Sequence, residues 1–307
     1  MKFLVAGAAG YLGSRVVLSL LARGHEAVGL VRSVEAADRV RAAGIEVAFG
    51  DLAQPSSLTV AASATDGVIH TAFGHDNDFM AAVHQERRAI QALIEAMAGT
   101  GKRLVAATAT GVLGETGPEP VNESFRGQPD FPARARMAVE DDLKAAASRD
   151  VRTTVVRPAI LVHGHAASQF VPMLVDVARR YGTAGYLGDG ANRIATVHVD
   201  DLADLFVLAA ERAEPGSIYN GAGGDISTRD LAESIAAGNP GVQPTSWEPA
   251  RAAEMWGTFP ALLLGINNRA SGERARRDLA WAPYGRTPTL VDDLSTGSYA
   301  NSTPTAI

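Results

Sequence analysis

The stretch Phe3-Leu4-Val5-Ala6-Gly7-Ala8-Ala9-Gly10-Tyr11-Leu12-Gly13 decides the fold. It begins as an apolar run typical of a buried strand, passes through a glycine at every third position, and continues with helical spacing as far as Ala22. Glycines alone mark any tight turn, but here they join a strand to a helix. In that setting a dinucleotide pyrophosphate lies on backbone N–H groups at the positive end of the helix dipole. The residues predicted to bind it are Gly7, Ala9, Gly10, Tyr11, Leu12 and Gly13.

The same alternation continues along the chain. Short apolar runs recur at 27–31, 45–49, 67–70, 104–107 and 153–156, and helical spacing lies between them at 34–43, 57–64, 78–98 and 132–147. Apolar strands separated by amphipathic helices are typical of a parallel sheet covered on both faces. After residue 158 this pattern loosens, and clustered glycines predict turns at 182–192. We predict an α/β protein with a doubly wound parallel sheet and a smaller lobe. The predicted boundaries are 1–160 for the dinucleotide-binding domain, 161–295 for a substrate-binding lobe that returns elements to it, and 296–307 for a flexible tail.

Composition excludes several classes of protein. The 307 residues carry a net charge of −6 and no cysteine. An acidic chain predicts neither a nucleic-acid nor an anionic-membrane partner, and the lack of cysteine excludes disulfides, thiolate metal sites and a thiol nucleophile. No apolar run approaches the ~18 residues of a membrane span. We therefore expect a cytoplasmic protein that acts on a small molecule and holds no metal ion.

The end of the second predicted strand carries no acid. Proteins that bind NAD place an Asp or Glu there for the ribose 2′-OH, whereas Arg32 and Ser33 follow Val31 here. A guanidinium binds a 2′-phosphate as a fork, and a carboxylate would repel it. The alternative is an ordinary surface arginine at a strand end. We predict that Arg32 and Ser33 bind the 2′-phosphate of NADPH or NADP+, with Arg15 as a weaker second candidate.

An ordered set of further motifs resembles the extended short-chain dehydrogenase/reductase superfamily, of the NAD-dependent epimerase/dehydratase type. After the glycine loop come Gly50-Asp51-Leu52, Val68-Ile69-His70-Thr71-Ala72, Val156-Arg157-Pro158, Gly188-Asp189-Gly190, Val197-His198-Val199-Asp200-Asp201, Tyr219-Asn220 and Leu279-Ala280-Trp281. The resemblance spans nearly the whole chain. It implies a Rossmann fold, a nicotinamide cofactor and, because relatives pair the helices at 78–98 and 132–147 across a two-fold axis, a homodimer.

The resemblance also assigns cofactor contacts. Asp51, with Leu52 beside it, would accept a hydrogen bond from the adenine amine, although such an aspartate can also cap a turn. Ala72 and Phe73 would pass beneath the cofactor. The segment from Pro158 to Ile160 would contact the nicotinamide amide through its backbone.

One motif of the superfamily is missing. Relatives carry Tyr-x-x-x-Lys on the helix after the fifth strand, where the tyrosine exchanges the carbonyl proton and the lysine holds the nicotinamide ribose. The register set by Glu140 puts Arg136 at the lysine position and Pro132 at the tyrosine position, and a slip of one residue gives Phe131 instead. Arg136 can bind ribose hydroxyls, but its high pKa makes it a poor proton donor.

Other residues could replace the missing acid. Thr108 and Thr110 flank the superfamily's serine position, and either hydroxyl could bind a substrate oxygen or simply end a strand. His163 and His165 follow the Val156-Arg157-Pro158 strand, and His75 lies in the loop after the fourth strand. The residues predicted to act in catalysis are Thr108, Thr110, Arg136 and His163. His198, Asp200 and Asp201 are predicted to be structural, the aspartates as helix caps.

Three functions fit this pattern. The first is an NADPH-dependent reductase of a small, apolar substrate with a C=O, C=N or activated C=C bond, whose product takes its proton from solvent or a substitute residue. An epimerase or dehydratase on the same scaffold is the second, but it also needs the missing tyrosine. The third is a non-catalytic sensor that binds NADPH. An apolar cluster at 255–264 could cover a substrate pocket or belong to the core.

Overall fold

The computed structural model describes residues 1–74, 78–127 and 130–300. Its strands follow the predicted runs closely and add others in the second half. In chain order they are β1 (Lys2–Ala6), β2 (Glu26–Val31), β3 (Glu46–Phe49), β4 (Gly67–His70), β5 (Arg103–Ala107), β6 (Arg152–Pro158), β7 (Leu161–His163), β8 (Thr183–Leu187), β9 (Arg193–His198), β10 (Ser217–Gly221), β11 (Gly224–Ser227) and β12 (Gln243–Trp247).

The helices of the described residues alternate with these strands. They are α1 (Tyr11–Ala22), α2 (Val34–Ala42), α3 (Pro55–Ser63), α4 (Phe79–Met97), α5 (Met137–Ala146), α6 (Val171–Tyr181), α7 (Val199–Arg212), α8 (Thr228–Ala237), α9 (Pro249–Trp256), α10 (Thr258–Leu264), α11 (Glu273–Leu279) and α12 (Leu290–Ser295). The helix predicted at 132–147 begins as a 3₁₀ turn, Pro132–Arg136, and becomes α-helical at Met137. Proline fits the first turn of a helix because an N–H at that position would have no acceptor within the helix.

The main sheet of the described chain has the strand order β10-β6-β5-β4-β1-β2-β3, and every neighbouring pair is parallel. The chain order reverses between β1 and β4, which is the topological switch point where ligands of open α/β sheets bind. The predicted doubly wound parallel sheet is confirmed. β10 comes from the second half of the chain and pairs in parallel with β6 at the edge of this sheet.

Two apolar cores lie on the two faces of the sheet. One face is covered by α1, α2 and α7, with Val16, Leu20 and Phe206 fully buried. The other is covered by α3, α4 and α5, where Leu58, Leu93 and Leu143 are fully buried. Helices on both faces fix the sheet, so the carboxyl ends of its strands form one rigid edge.

A third core holds the smaller lobe. It joins α6, α8, α9, α10 and α12 to the pairs β9–β11, β7–β9 and β8–β12. Two details differ from expectation. β8 lies within a glycine-rich stretch that reads as turns, and it is held by parallel pairing with β12 rather than by its own propensity. Tyr299, which lies in the segment predicted to be flexible, is 1% exposed and belongs to this core.

The outward surface of α4 bears on assembly and on membranes. Its apolar positions pack into the protein's own core, and the exposed ones are mostly polar: His84, Arg88, Gln91 and Glu95. The apolar surplus that would favour helix pairing is therefore small on α4, and the homodimer stays a prediction. Over the described ranges, no helix has the length and apolarity needed to cross a bilayer.

Candidate functional site

The residues predicted to bind the cofactor come together at one edge of the sheet. The glycine loop follows β1, Arg32 follows β2, Asp51 follows β3 and Ala72 follows β4. Thr108 follows β5, and Pro158 ends β6. Because all of these strands are parallel, their carboxyl ends lie on the same side of the sheet.

The glycine loop is shaped by backbone contacts that leave no room for side chains. A Cβ at Gly13 would lie 2.1 Å from the Gly7 carbonyl oxygen, and one at Gly7 would lie 2.9 Å from Thr71 Oγ1. Gly7 also has a φ of +88°, which favours glycine. Gly10, the N-cap of α1, has no side chain to cap the helix, and the first turn holds no acid. The first N–H groups of α1 therefore suit an anion, and the loop fits a dinucleotide pyrophosphate.

The structure gives Ser33 and Arg15 further partners. Arg32 is exposed directly after β2, the position from which dinucleotide-binding folds contact the ribose 2′ group. Ser33 is the N-cap of α2, and its Oγ accepts a hydrogen bond from the Ala36 N–H at 3.2 Å. Arg15 donates from Nε to Asp200 Oδ1 at 2.5 Å. This ion pair draws Arg15 toward α7, which weakens its candidacy for the phosphate.

The adenine and nicotinamide contacts implied by resemblance lie at the expected strand ends. Asp51 is half-buried, and its Oδ1 accepts from the Ala53 N–H at 2.8 Å, so it also stabilises its own turn. Leu52 and Ala72 pack at the margin of the core beneath α3 and α4. Ile160 is 7% exposed in the core of the smaller lobe, where only its backbone could serve a ligand.

Arg136, at the superfamily's lysine position, is bound by a glutamate that sequence reasoning missed. Its Nε and Nη2 donate to the two carboxylate oxygens of Glu86 at 2.9 and 2.5 Å. Nη2 also donates to the Ala107 carbonyl at 3.0 Å, and Nη1 to the Thr108 carbonyl at 2.9 Å. The Phe73 ring lies 4.3 Å from the guanidinium carbon. We call Phe73, Glu86, Thr108 and Arg136 the Arg136 corner.

The Arg136 corner leaves the guanidinium little capacity for a ribose. Four of its five N–H groups have partners inside the protein, and both Glu86 and Arg136 are buried. The expected role of Arg136 in holding ribose hydroxyls is therefore restricted to the remaining Nη1 proton. Its observed contacts instead fix the carbonyl end of β5.

The two threonines of the site differ in hydrogen bonding. Thr108 donates from Oγ1 to Glu140 Oε1 at 2.8 Å, and Glu140 in turn binds Arg157 through Nε and Nη2 at 2.9 and 2.6 Å. Arg157 and Glu140 are completely buried, so the Thr108 proton serves this ion pair and not a substrate. Thr110 is also fully buried, but its Oγ1 has no partner among the described residues. Of the two predicted catalytic threonines, only Thr110 retains an unused hydroxyl.

His163 lies in a different environment from the one predicted. The side chain is fully buried, and its Nδ1 lies 2.7 Å from Asp293 Oδ2. Burial raises the pKa of Asp293, but the hydrogen bond and charge of His163 and the hydrogen bonds from Ser298 together outweigh it, and the net pKa of Asp293 is lowered. Complete burial removes His163 from contact with a substrate, and it acts here as a link between β7 and α12. His75, the other histidine candidate for this end of the site, lies outside the described residues.

The neighbouring histidines form a small ionic network. His165 Nε2 lies 2.9 Å from Asp200 Oδ2, and His198 Nδ1 accepts from the Asp200 N–H at 3.2 Å as the N-cap of α7. The predicted capping role of Asp200 and Asp201 is therefore wrong, because His198 caps this helix. The side chains of His165, His198 and Asp200 present possible metal-ligand atoms within 4.8 Å of one another. The guanidinium of Arg15 on Asp200 already supplies the positive charge that a cation would bring.

The position of the missing tyrosine holds no acid. Pro132 opens the 3₁₀ turn and is exposed, and Phe131 is buried against Gly114, where a Cβ would meet the ring at 2.9 Å. Neither side chain carries a proton that can be exchanged. Both readings of the register thus lead to a site without the usual general acid.

His70 is another buried polar group, and its sequence motif did not mark it as functional. It ends β4 between Ala6 of β1 and Ala106 of β5, and it is 0% exposed. Neither ring nitrogen has a hydrogen-bond partner in the described structure. Burial, with the nearby charge of Arg136 as a smaller cause, lowers the pKa of His70 to about 4. The imidazole is therefore neutral at neutral pH.

An aromatic row covers the Arg136 corner. Phe73 and Phe79 have ring centroids 6.0 Å apart, and Phe79 lies 5.6 Å from Phe259 on α10. Phe259 is 36% exposed and Leu262 of the same helix is 40% exposed. The row of Phe73, Phe79 and Phe259 thus connects the cofactor edge to the smaller lobe through apolar surface. The cluster predicted at 255–264 contributes both to this surface and, through Leu263 and Leu264, to the core.

Two features of the sequence could have revealed the buried ion pairs of Glu86 and Glu140. The buried stripe of α4 runs through Val83, Ile90 and Leu93, and Glu86 falls on that stripe at helical spacing. Glu140 likewise falls on the buried face of α5 between Val139 and Leu143. A carboxylate on an apolar stripe predicts a buried partner of opposite charge.

The parallel sheet with a glycine loop at its switch point defines the extended short-chain dehydrogenase/reductase class, as the motifs predicted. The family pattern described as "NAD dependent epimerase/dehydratase family" matches residues 3–222. The chain belongs to this family.

The relatives whose names state an activity include both a reductase and an epimerase. An uncharacterised protein of Schizosaccharomyces pombe is 36% identical over 97% of this chain and 100% of its own length. The 2-alkyl-3-oxoalkanoate reductase of Stenotrophomonas maltophilia is 30% identical over 72% of this chain and 68% of its own. The crystal structure of UDP-glucuronic acid 4-epimerase from Bacillus cereus, in complex with UDP-glucuronic acid and NAD, has a TM-score of 0.74 at 20% identity. It covers 98% of this chain and 99% of that one.

Proposed function

We propose that this protein is an NADPH-dependent reductase of a small, apolar substrate that carries a C=O, C=N or activated C=C bond. The observation that carries the proposal is the Arg136 corner. Its arginine is bound by Glu86, no tyrosine stands four residues before it, and apolar rings cover it. Without the tyrosine, the site lacks the base that oxidation of a sugar hydroxyl requires. It remains suited to hydride transfer from the cofactor to an electrophilic substrate atom.

The cofactor half of the proposal rests on the glycine loop and on Arg32. Backbone N–H groups from Gly10 to Gly13 would hold the pyrophosphate, and Arg32 would hold the 2′-phosphate. When bound, the nicotinamide supplies a hydride. The Arg136 corner fixes the end of β5, which would lie beside a bound nicotinamide, and the Phe73 ring on Arg136 would exclude water there.

The substrate half rests on the aromatic row. Phe79 and Phe259 present ring surface, where a site for sugar hydroxyls would need hydrogen-bonding side chains. Thr110, just after β5, is fully buried and its Oγ1 has no partner in the described structure, so this hydroxyl would bind the acceptor atom of the substrate only where the residues that cover it make room. The reductase from Stenotrophomonas maltophilia, whose name denotes a ketone substrate with an alkyl chain, supports this class of substrate.

The test combines cofactor binding with turnover. Calorimetry should show tighter binding of NADPH than of NADH, and Arg32→Ala should remove most of that preference, about 1–3 kcal/mol for a charge-assisted contact. NADPH oxidation should then occur with apolar ketones, imines or enones and not with nucleotide sugars. Equal affinity for the two dinucleotides in the parent protein would contradict the assignment of Arg32.

A second function is favoured by the same corner. If Arg136 serves only Glu86 and the β5 carbonyls, the protein could bind NADPH without turnover and act as a sensor. NADPH oxidation by any of the ketones, imines or enones tested decides against the sensor. NADPH binding that alters association with a partner protein, with no oxidation by any substrate, decides for it.

A further inference from the structure

The loop after β7 is fastened to the glycine loop. Tyr11, at the end of the glycine loop where α1 begins, donates from its hydroxyl to the Gly164 carbonyl at 3.0 Å. On the other side, the Gly164 N–H donates to Tyr299 Oη at 2.9 Å, and Tyr299 Oη donates to the Ala167 carbonyl. One peptide segment thus connects the start of α1 to a tyrosine from the C-terminal part of the described chain.

The same segment is held at several other points. The Ala166 N–H donates to Ser298 Oγ at 3.0 Å, and His163 Nδ1 pairs with Asp293. The backbone of Tyr299 is itself fixed, because Arg179 donates from Nη2 to its carbonyl at 2.9 Å. We call Asp293, Ser298 and Tyr299 the C-terminal clamp. Each of its members contacts the segment of residues 163–167.

The clamped segment has an unfavourable backbone. His165 and Ala166 have φ angles of +58° and +53°, in the left-handed region that residues other than glycine rarely adopt. Gly164 has a φ of +118°, and a Cβ there would lie 2.4 Å from His198 Nε2. Such a conformation persists where surrounding contacts over-determine it, and strained segments of this kind cluster at ligand sites. The C-terminal clamp supplies those contacts.

We propose that Tyr299 is a positioning residue for the dinucleotide: through Gly164 it fixes Tyr11, and with it the N–H groups at the start of α1 that receive the pyrophosphate. The proposal rests on dinucleotide binding at the glycine loop. Tyr299 is buried and bonded to Gly164 and Ala167, so the role proposed for it is indirect. It acts by keeping the acceptor carbonyl of Gly164 where the Tyr11 hydroxyl can reach it, so the loop is already arranged before binding.

The hydroxyls involved stay protonated over the working range of pH. Burial raises the pKa of Tyr11 and also that of Tyr299. Both therefore remain hydrogen-bond donors at neutral and moderately alkaline pH. The effect of the clamp on cofactor binding should accordingly be constant between about pH 6 and pH 9.

Tyr299→Phe removes the hydroxyl and keeps the buried ring. We expect the Kd of NADPH and the Kd of NADH to rise by the same factor, roughly three- to thirtyfold, because the pyrophosphate is common to both. Tyr11→Phe should have a similar effect, and the double variant should be no weaker than the weaker single variant, since both act through Gly164. Tyr186→Phe, a buried tyrosine of β8 in the same lobe, is the matched control and should leave both Kd values unchanged.

A purely structural role would give a different result. It would lower the melting temperature of the free protein without changing either Kd at a temperature where the variant is folded, and that outcome would overturn the proposal. If Tyr299→Phe does not fold, Ser298→Ala tests the same clamp and should raise both Kd values by a smaller common factor. A parent protein that binds neither dinucleotide would overturn this inference together with the proposed function, whereas normal binding by every variant would overturn the inference alone.

Discussion

The glycine loop and the Arg136 corner lie at the same edge of the sheet, but they are held together in different ways. The glycine loop depends on backbone shape, since Cβ atoms at Gly7 or Gly13 would collide with neighbouring atoms. The Arg136 corner depends on charge, with Arg136 bound by a glutamate from another helix. A backbone site is recognisable from a short stretch of sequence. A charge site needs a partner about fifty residues away, and only the fold reveals it.

The Arg136 corner should be the more fragile of the two regions. Glu86→Ala leaves the buried guanidinium without its counter-charge, and we expect the free energy of unfolding to fall by about 3–5 kcal/mol. Urea denaturation at pH 7 measures this loss. Glu95→Ala, which breaks an exposed pair with Arg149, is the control and should cost less than ~1 kcal/mol.

A double variant tells what the buried pair contributes beyond stability. Replacing Glu86 and Arg136 together with methionine removes both charges and leaves apolar groups in a buried place, so it should be less harmful than Glu86→Ala. If the double variant is as unstable as Glu86→Ala, the hydrogen bonds from the guanidinium to the carbonyls of Ala107 and Thr108 contribute more to stability than the ion pair with Glu86 does.

The two regions also show how far sequence reasoning reaches. The glycine loop, the doubly wound parallel sheet and the edge where Arg32 and Asp51 lie could be predicted, because strand periodicity and glycine spacing are local signals. The partner of Arg136 could not be found by counting along the chain. It required knowing that α4 and the 3₁₀ turn at Pro132–Arg136 pack together.

His163 and β8 were mispredicted for a related reason. His163 follows a strand that ends near the nicotinamide position, which made it a candidate acid, but its environment is set by Asp293 far along the chain. β8 is stabilised by its neighbour β12, so its glycine-flanked sequence suggested a turn. In both cases tertiary contacts decided against the local signal.

His70 lies between the two regions and should make stability depend on pH. Its pKa is about 4 in the folded protein and about 6.5 in the unfolded chain, so the unfolded chain binds more protons between these values. Stability should therefore be complete above about pH 6.5 and fall by about 3 kcal/mol as the pH drops to about 4. Urea denaturation of the parent and of His70→Asn over this range measures the difference in slope.

An exposed histidine provides the control for that experiment. His84 lies on the outer surface of α4, and His84→Asn should keep the parent's dependence on pH. If His70→Asn keeps it too, the acid sensitivity comes from carboxylates such as Asp200 and Asp293, whose pKa values are lowered by their bonds to Arg15, His165 and His163 despite burial.

The smallest expected effect concerns Ser33, where a backbone role and a ligand role meet in one side chain. Its Oγ accepts from the Ala36 N–H as the cap of α2, and its hydroxyl also bonds to the Glu35 carboxylate, so a 2′-phosphate would compete with Glu35 for its proton. Ser33→Ala should cost about 1 kcal/mol of stability through the lost cap. Ser227→Ala removes the equivalent cap of α8, where Oγ accepts from the Asp230 N–H at 3.0 Å, and should cost about the same. Only Ser33→Ala should also weaken NADPH binding, by roughly two- to fivefold, without changing NADH binding, because only its hydroxyl lies beside Arg32. If the two variants lose equal stability and both keep the parent's affinity for NADPH, Ser33 belongs to the backbone architecture of the glycine-loop region, and Arg32 must account for the phosphate preference without it.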